Sequence, residues 1–200
     1  MKLLTNMFFL ISILIVTVLS SNSFAQCKGK MVFNNMDKDR SYDVYYSDLG
    51  YRYEFNEDGQ KGVVIVKSGA KEVIILMPDQ KLAMKTPSDN PMSMANDPLQ
   101  AYENYKNSGI FEDGGEESIN GVLCKKSILY NKENPSQKMF TIWYSEEYKF
   151  PIKMINHIGG TKDLVMEMKN VEPWNPDPEK FEIPSDYQLM DMHGMMPDKQ

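Results

Sequence analysis

The chain has 200 residues, a formal net charge of −6 and 42% hydrophobic residues. This length is sufficient for one sizeable hydrophobic core and does not require two domains. The longest basic cluster is the pair Lys125–Lys126. Because phosphate binding needs clustered Lys and Arg side chains, the acidic balance argues against nucleic acid and anionic lipid surfaces as partners.

The first 25 residues have the three zones of a secretory signal peptide. Lys2 supplies the positive charge, Met7–Leu19 is the apolar run, and Ser23 and Ala25 are the small residues that precede a cleavage site. A membrane-spanning helix needs about 20 apolar residues, which is more than this run provides. We therefore expect cleavage near Ala25 and a periplasmic or secreted protein with no membrane anchor.

The position of Cys27 raises the question of lipidation. Gln26 occupies the site where lipoprotein signals carry a small residue, so ordinary cleavage is favoured. The other cysteine is Cys124. An oxidising compartment predicts a disulfide between Cys27 and Cys124, whereas the alternative is a free Cys27 and a Cys124 that acts as a small buried hydrophobe.

From Ser41 to Lys85 the chain is predicted to form short strands, because apolar residues alternate or cluster between turn-forming residues. In the first two strands one face is mostly aromatic; these faces are Tyr42, Val44 and Tyr46, then Tyr51, Tyr53 and Phe55. Gly62–Lys67 and Glu72–Met77 are continuous apolar runs, which predict central strands covered on both faces. Lys81–Lys85 is the next strand.

One helix is predicted, over Asp97–Ser108. Asp97 is suited to the N-cap, Pro98 to the first helical position, and Gln100 to a capping box, while Gly109 can end the segment.

Strands return in the second half of the chain; they are Gly121–Tyr130, Lys138–Ser145, Pro151–His157 and Asp163–Val171. About eight antiparallel strands and one helix predict an α+β domain, mostly β, with a large curved antiparallel sheet. We expect this single domain to span residues 26–190, with a flexible methionine-rich tail at 191–200.

No catalytic motif is recognisable. His157 and His193 lie outside any known catalytic pattern, and we find no phosphate-binding loop, nucleophile elbow or zinc-ligand spacing. The sequence therefore predicts a protein that is not an enzyme and that needs no cofactor.

Methionine is unusually frequent, with 16 residues. Thioether sulfur binds Cu(I), so the Met/His tail Met190–Met196 could hold a soft metal. Most methionines, however, lie within predicted strands, where flexible side chains fill a core or line an adaptable apolar surface. We favour the second interpretation and assign no metal site.

Four segments resemble a family of exported, methionine-rich bacterial proteins of unknown function; they are Glu72–Pro87, Asn120–Cys124, Phe150–Met154 and Phe181–Tyr187. That family is similar to the periplasmic lipoprotein-carrier (LolA-like) superfamily. The resemblance implies an incomplete, half-open β-barrel with a helical lid, whose apolar interior receives acyl chains.

Composition alone favours a filled core, whereas the resemblance favours a trough for an apolar ligand such as a lipid or a lipoprotein acyl chain. The predicted lining residues are Tyr42, Tyr46, Tyr51, Tyr53, Phe55, Met84, Phe140, Ile142, Met166 and Met168. The rival hypothesis is a structural or interaction module that contacts another envelope protein. We expect a monomer in either case.

Overall fold

The computed structural model describes residues 26–34, 39–57, 59–88, 97–158 and 163–192. The predicted signal peptide and most of the predicted tail lie outside these ranges. The described residues form twelve strands; they are β1 Cys27–Asn34, β2 Asp39–Ser47, β3 Gly50–Glu57, β4 Gln60–Lys67, β5 Glu72–Met77, β6 Leu82–Pro87, β7 Gly109–Ile119, β8 Val122–Asn131, β9 Lys138–Ser145, β10 Phe150–Asn156, β11 Leu164–Pro173 and β12 Gln188–Asp191.

The helical elements are short. The described ranges contain one α-helix, α1, which spans Pro98–Tyr105 and continues as a 3-10 turn over Lys106–Ser108. Further 3-10 turns lie at Pro78–Gln80 and Pro178–Phe181. Among the described residues, no helix is both long and apolar enough to cross a membrane.

All twelve strands belong to one sheet, in the order β12-β6-β5-β4-β3-β2-β1-β11-β10-β9-β8-β7. The first strand of the chain therefore lies in the middle of the sheet, between β2 and β11. Every pairing is antiparallel except that of β12 with β6, which is parallel. The prediction of a wholly antiparallel sheet is wrong at this edge, because the chain crosses one face of the sheet before it forms β12.

The predicted strands agree closely with the observed ones, and β5 and β9 have the predicted bounds. The two strands expected to be central, β4 and β5, lie in the interior of the sheet order. Three observed strands, β1, β7 and β12, were not predicted. The other nine strands correspond to predicted segments, so the total is twelve where the sequence predicted about eight.

The sheet is strongly curled. In sheet order β2, β1 and β11 separate β3 from β10, which would place β3 and β10 about 19 Å apart in a flat sheet. Nevertheless, the ring of Phe150 in β10 lies 6.1 Å from that of Tyr51 in β3 and 4.7 Å from that of Tyr46 in β2. The two halves of the sheet thus meet through side chains, although the edges β7 and β12 are not hydrogen-bonded to each other.

Two hydrophobic clusters occupy opposite faces of the sheet. We call the face that carries Tyr53 and Val64 the inner face; its cluster includes side chains from both halves of the sheet and from α1. On the outer face, a smaller cluster contains Val63, Ile65 and Ile74. Because successive strand residues point to opposite faces, β4 is covered on both sides, as its apolar sequence predicts.

Residues 174–187, which we call the C-terminal strap, cover the outer cluster. Phe181 is 2% exposed and belongs to this cluster, with Trp174 and Tyr187 packed beside it. At the margin of the strap, Lys67 and Glu182 form an ion pair of 2.8 Å. After the strap the chain forms β12, so the strap determines the direction of the last strand.

Candidate ligand site on the inner face

The structure brings nearly all the predicted lining residues together. Among them, Tyr42, Tyr53, Phe140, Ile142, Met166 and Met168 belong to the inner cluster, and Tyr46, Tyr51 and Phe55 pack against it. Met84 lies opposite Ile75 on the same face but is only half-buried and outside the cluster. Strand alternation therefore identified one continuous surface, while binding of a ligand to it stays a prediction.

Four methionines form the centre of this surface, and we call them the methionine patch. Met31 of β1 lies directly opposite Met168 of β11, and Met166 of β11 lies directly opposite Met154 of β10. Each is at most 1% exposed. Because residues two apart on a strand share a face, the four side chains occupy adjacent positions. The patch is apolar, uncharged and flexible at the level of side-chain torsions.

Aromatic rings continue the surface from the patch across β1, β2 and β3. The ring of Tyr42 lies 5.4 Å from Phe33, 5.6 Å from Tyr53 and 6.3 Å from Phe55. Phe55 in turn lies over Gly62, where an added Cβ would come within 2.0 Å of the ring. The lack of a side chain at Gly62 therefore lets Phe55 lie flat against β4.

Two important residues of this surface, Met31 and Phe33, were missed by the sequence analysis. Both belong to β1, which was not predicted. Their spacing, with Val32 between them, is the alternation of a strand that has one apolar face. Lys28 and Lys30 obscured that signal at the start of the same strand.

Helix α1 packs against the inner face at two separate places. Its N-terminal end meets Tyr51 of β3, and Tyr102 lies 6.0 Å from the ring of Phe140 in β9. Leu99 is buried in the inner cluster. One short helix can contact β3 and β9 because the sheet curls around it. The observed contacts place α1 over the inner face.

The contact between α1 and β3 is a buried polar network. Asp97 caps the helix by accepting hydrogen bonds from the backbone N–H groups of Leu99, at 2.9 Å, and Gln100, at 3.3 Å. The Tyr51 hydroxyl donates to Asp97 Oδ2 at 2.8 Å and accepts from Gln100 Nε2 at 2.8 Å. Gln100 thus binds Tyr51 instead of closing the capping box expected from the sequence.

Burial controls the electrostatics of this network. Asp97 is 4% exposed and forms no ion pair with any described basic residue. Removal of the carboxylate from water raises the pKa of Asp97 to about 6, although the bonds from Tyr51, Gln100 and Leu99 act in the opposite direction. Burial, with the negative charge of Asp97, also raises the pKa of Tyr51 well above its ordinary value.

An exposed apolar surface adjoins the C-terminal end of α1. Phe111 of β7 is 49% exposed and Tyr105 of α1 is 36% exposed; Ile110, which precedes Phe111 and is equally exposed, points to the opposite face of the strand. The ring of Phe111 lies 6.4 Å from that of Tyr102. The boundary between α1 and β7 is therefore the place where the inner apolar surface reaches solvent.

The predicted disulfide is not formed in this structure. Cys27 and Cys124 are both free and buried thiols, at 0% and 1% exposure. Desolvation is the main cause that raises the pKa of Cys27 to about 12, and it also raises the pKa of Cys124. Neither thiol is therefore activated as a nucleophile, which agrees with the alternative that Cys124 is a buried hydrophobe. Cys27, which that alternative gives as a free thiol, is free and also fully buried.

A second polar network lies on the outer face. Thr141 Oγ1 and His157 Nε2 are 3.0 Å apart, and His157 Nδ1 lies 3.0 Å from Asp163. The order of groups is that of a nucleophile, a base and an acid, but Thr141 is only 5% exposed. The network connects β9 with the ends of β10 and β11. Within the described ranges, no group of three or more His, Cys, Asp or Glu side chains could hold a metal ion.

The sequence matches one family model over part of its length. Residues 131–187, from the end of β8 to the end of the strap, match the family described as Domain of unknown function (DUF4412). No curated protein matches the chain. The fold is shared with a solved protein.

That protein is an uncharacterized conserved protein from Thermus thermophilus, with a TM-score of 0.55, 11% sequence identity, and 84% of this chain and 91% of the other covered. A LolA superfamily protein from Nitrosomonas europaea is also similar, with a TM-score of 0.41, 12% identity, and coverages of 78% and 89%. The lipoprotein LppX from Mycobacterium tuberculosis has a TM-score of 0.39, 11% identity, and coverages of 77% and 90%. At these identities the comparison with the Thermus protein shows the fold alone.

Proposed function

We propose that this protein is an exported binding protein that holds an apolar ligand, such as a lipid or an acyl chain, between the inner face of the sheet and helix α1. The observation that carries the proposal is the methionine patch. Four adjacent, uncharged and buried thioether side chains, Met31, Met154, Met166 and Met168, lie in the middle of an unclosed and strongly curled sheet.

The inner face is filled by its own side chains, so a ligand must displace some of them. Methionine is suited to this because three unbranched torsions let the side chain move aside without movement of the backbone. Apolar area covered by a ligand stabilises the complex by about 25 cal/mol per Å² before the costs of binding are subtracted. An acyl chain is the simplest ligand that an uncharged, elongated surface of this kind would accept.

The entry route that we propose lies between α1 and β7, where Tyr105 and Phe111 are exposed. In this arrangement α1 acts as a lid, since its displacement uncovers Phe140 and the inner cluster beneath it. Export is supported by the signal-peptide pattern of residues 1–25, and the proposal is for a carrier or receptor rather than a catalyst.

Uptake of an uncharged probe tests the proposal. N-phenyl-1-naphthylamine becomes fluorescent in apolar surroundings, so binding gives a saturable signal that an unlabelled fatty acid should displace. Native mass spectrometry of protein purified from its own cell envelope should show a mass above that of the processed chain. Absence of both signals would exclude an apolar ligand.

The site is mapped with a fatty acid that carries a diazirine near its end. We expect photo-crosslinks on peptides of β1, β10 and β11, which contain the methionine patch, and none on the strap at 174–187. Crosslinks confined to the strap or to exposed residues such as Leu123, which is 64% exposed, would place the binding elsewhere.

One observation favours a second candidate, a structural module with a filled core. The rings of Tyr46 and Phe150 already meet across the interior at 4.7 Å, and the methionine patch is fully buried without a ligand. In that case the probe should not bind, and the interior would serve stability alone.

A further inference from the structure

Asp97 is exceptional among the buried residues. Within the described part of the chain it is the one carboxylate in the buried class, and it lies between the lid helix and the sheet. A buried ion normally has a partner of opposite charge, because desolvation is costly. Asp97 accepts hydrogen bonds from Tyr51 of β3 and from the backbone N–H groups of Leu99 and Gln100, while the Gln100 side-chain amide donates to Tyr51. Tyr53 is the next titratable group on β3, and Phe150 of β10, which packs against Tyr51, is uncharged.

The ring contacts of α1 with β9 and the burial of Leu99 are apolar, and Asn104 of α1 also donates a hydrogen bond of 3.5 Å to the backbone carbonyl of Ser88. Leu99 is buried, whereas Tyr102 and Tyr105 contact Phe140 through ring edges and tilted faces and become progressively more exposed toward the end of the helix. The strength of apolar contacts of this kind does not depend on a protonation state. The Asp97 carboxylate is thus a buried ionisable group through which solution pH can act on the attachment of α1.

We propose that Asp97, Tyr51 and Gln100 form a proton-dependent latch, which holds α1 on the inner face when Asp97 is protonated and releases it when Asp97 is ionised. The proposal deepens, and rests on, the proposed function, since release of α1 would open the ligand site. The latch predicts faster or tighter uptake of an apolar ligand as the pH rises.

The network can exist in both states without loss of a hydrogen bond. When Asp97 is ionised, Gln100 donates to Tyr51 and Tyr51 donates to Asp97, as observed. When Asp97 is protonated, its O–H can donate to Tyr51, and Tyr51 can donate to the carbonyl oxygen of a rotated Gln100 amide. The direction of these hydrogen bonds reverses when the Gln100 amide and the Tyr51 hydroxyl rotate, and no other movement is required.

The direction of the pH effect follows from linkage. Asp97 has a pKa of about 6 in the closed state, against an ordinary value of 3.8 when it is exposed to water. The closed state therefore binds the Asp97 proton more tightly than the released state does. This tighter binding stabilises the closed state fully below pH 3.8, and the stabilisation is lost as the pH rises through about 6. Between about pH 4.5 and pH 7.5, the population with α1 released should increase roughly 25-fold.

Hydrogen exchange of residues 99–108 tests the latch without any ligand. Wild type and Asp97→Asn are compared at each pH, so that the chemical exchange rate cancels in the ratio. Asn keeps the cap and the shape but has no proton to lose. We expect the exchange of wild type relative to the variant to rise roughly 25-fold between about pH 4.5 and pH 7.5. A ratio that does not change with pH would overturn the proposal.

A second variant keeps the test informative if Asp97→Asn does not fold. Tyr51→Phe removes a hydrogen bond that lowers the pKa of Asp97, so the transition should move to higher pH and not disappear.

Asp177→Asn is the matched control. Asp177 caps the 3-10 turn at Pro178 in the same Asp-Pro arrangement, but it is exposed. The control should retain the wild-type pH profile, and an unchanged Tyr51→Phe profile would contradict the latch.

Binding of N-phenyl-1-naphthylamine over the same pH range separates the latch from the proposed function. A dissociation constant that falls with pH in wild type but not in Asp97→Asn supports both. pH-dependent exchange of α1 without probe binding supports the latch and rejects the ligand site. Probe binding with pH-independent exchange supports the site and rejects the latch.

Discussion

Met31 of β1 lies directly opposite Met168 of β11, and this pair joins the N-terminal and C-terminal halves of the sheet at its centre. β1 has no other partner on that side. The inner apolar surface is therefore continuous only because the first and eleventh strands meet, and the methionines at this junction determine both its packing and its polarity.

Truncation of a methionine side chain in the methionine patch should destabilise the folded protein. Met166→Ala removes most of a side chain that is 0% exposed, so we expect the free energy of unfolding to fall by about 2–5 kcal/mol. Met166→Leu keeps the volume and should cost less than about 1.5 kcal/mol. Urea denaturation measures both, with the exposed residue Leu123→Ala as the control. Equal effects for Ala and Leu would show that the patch is not tightly packed.

The global stability should also depend on the protonation of Asp97. Its carboxyl has a raised pKa in the folded protein, so the folded state binds a proton more tightly and stability decreases as the pH rises from about 4 to about 6. We expect Asp97→Asn to remove this decrease, an effect of up to about 3 kcal/mol. Thermal unfolding of both proteins across this range measures it. A variant whose profile parallels that of wild type would contradict the assignment to Asp97.

The strap should be held by its aromatic contact and not by its ion pairs. Phe181 is 2% exposed, so Phe181→Ala should cost about 3–5 kcal/mol. Glu182→Gln breaks the neighbouring bond to Lys67, which is an exposed pair, and should cost at most about 1 kcal/mol. Chemical denaturation compares these adjacent positions. A larger effect at Glu182 would reverse this ranking.

The two thiols should be unreactive in the folded protein. Burial raises the pKa of both Cys27 and Cys124, so the thiolate that attacks an aromatic disulfide reagent is scarce at about pH 8. Both should react fully after denaturation in guanidinium. Mass spectrometry without reductant is the complementary measurement, since a disulfide would remove both thiol hydrogens. Such a loss in protein from the native compartment would show that the bridge forms there.

The Met/His tail can be tested without disturbance of the fold. β12 extends to Asp191, and its neighbour Met192 donates a backbone hydrogen bond to Lys85, so a deletion must begin after residue 192. If the tail binds Cu(I) or Ag(I), removal of residues 193–200 should abolish the binding. Metal binding that survives this truncation would show that residues 193–200 are not required for it.

The sequence was most informative where strands have one-sided or continuous apolar patterns. Glu72–Met77 and Lys138–Ser145 could be bounded correctly because turn-forming residues flank a run of β-branched or aromatic side chains. The helix start was also predictable, since Asp97 and Pro98 are specific to the first turn.

The missed strands depend on information that lies elsewhere in the chain. β7 carries Gly114–Gly115 and several acidic side chains, and it is a strand because β8 supplies its partner. β12 follows a proline-rich segment and pairs with β6. The role of Gln100 was mispredicted for the same reason, because Tyr51, a distant residue, offers a better partner than the local cap.

The parallel pairing of β12 with β6 has a consequence for the order in which the molecule is built. Synthesis releases the chain from the N-terminus, so Leu82 emerges long before its partner Gln188. Until then one side of β6 and one side of β1 present unpaired backbone groups, and such edges template association between chains. The last strands therefore cover these two open edges when they form. Incomplete chains, which lack them, should be the species that need protection by chaperones.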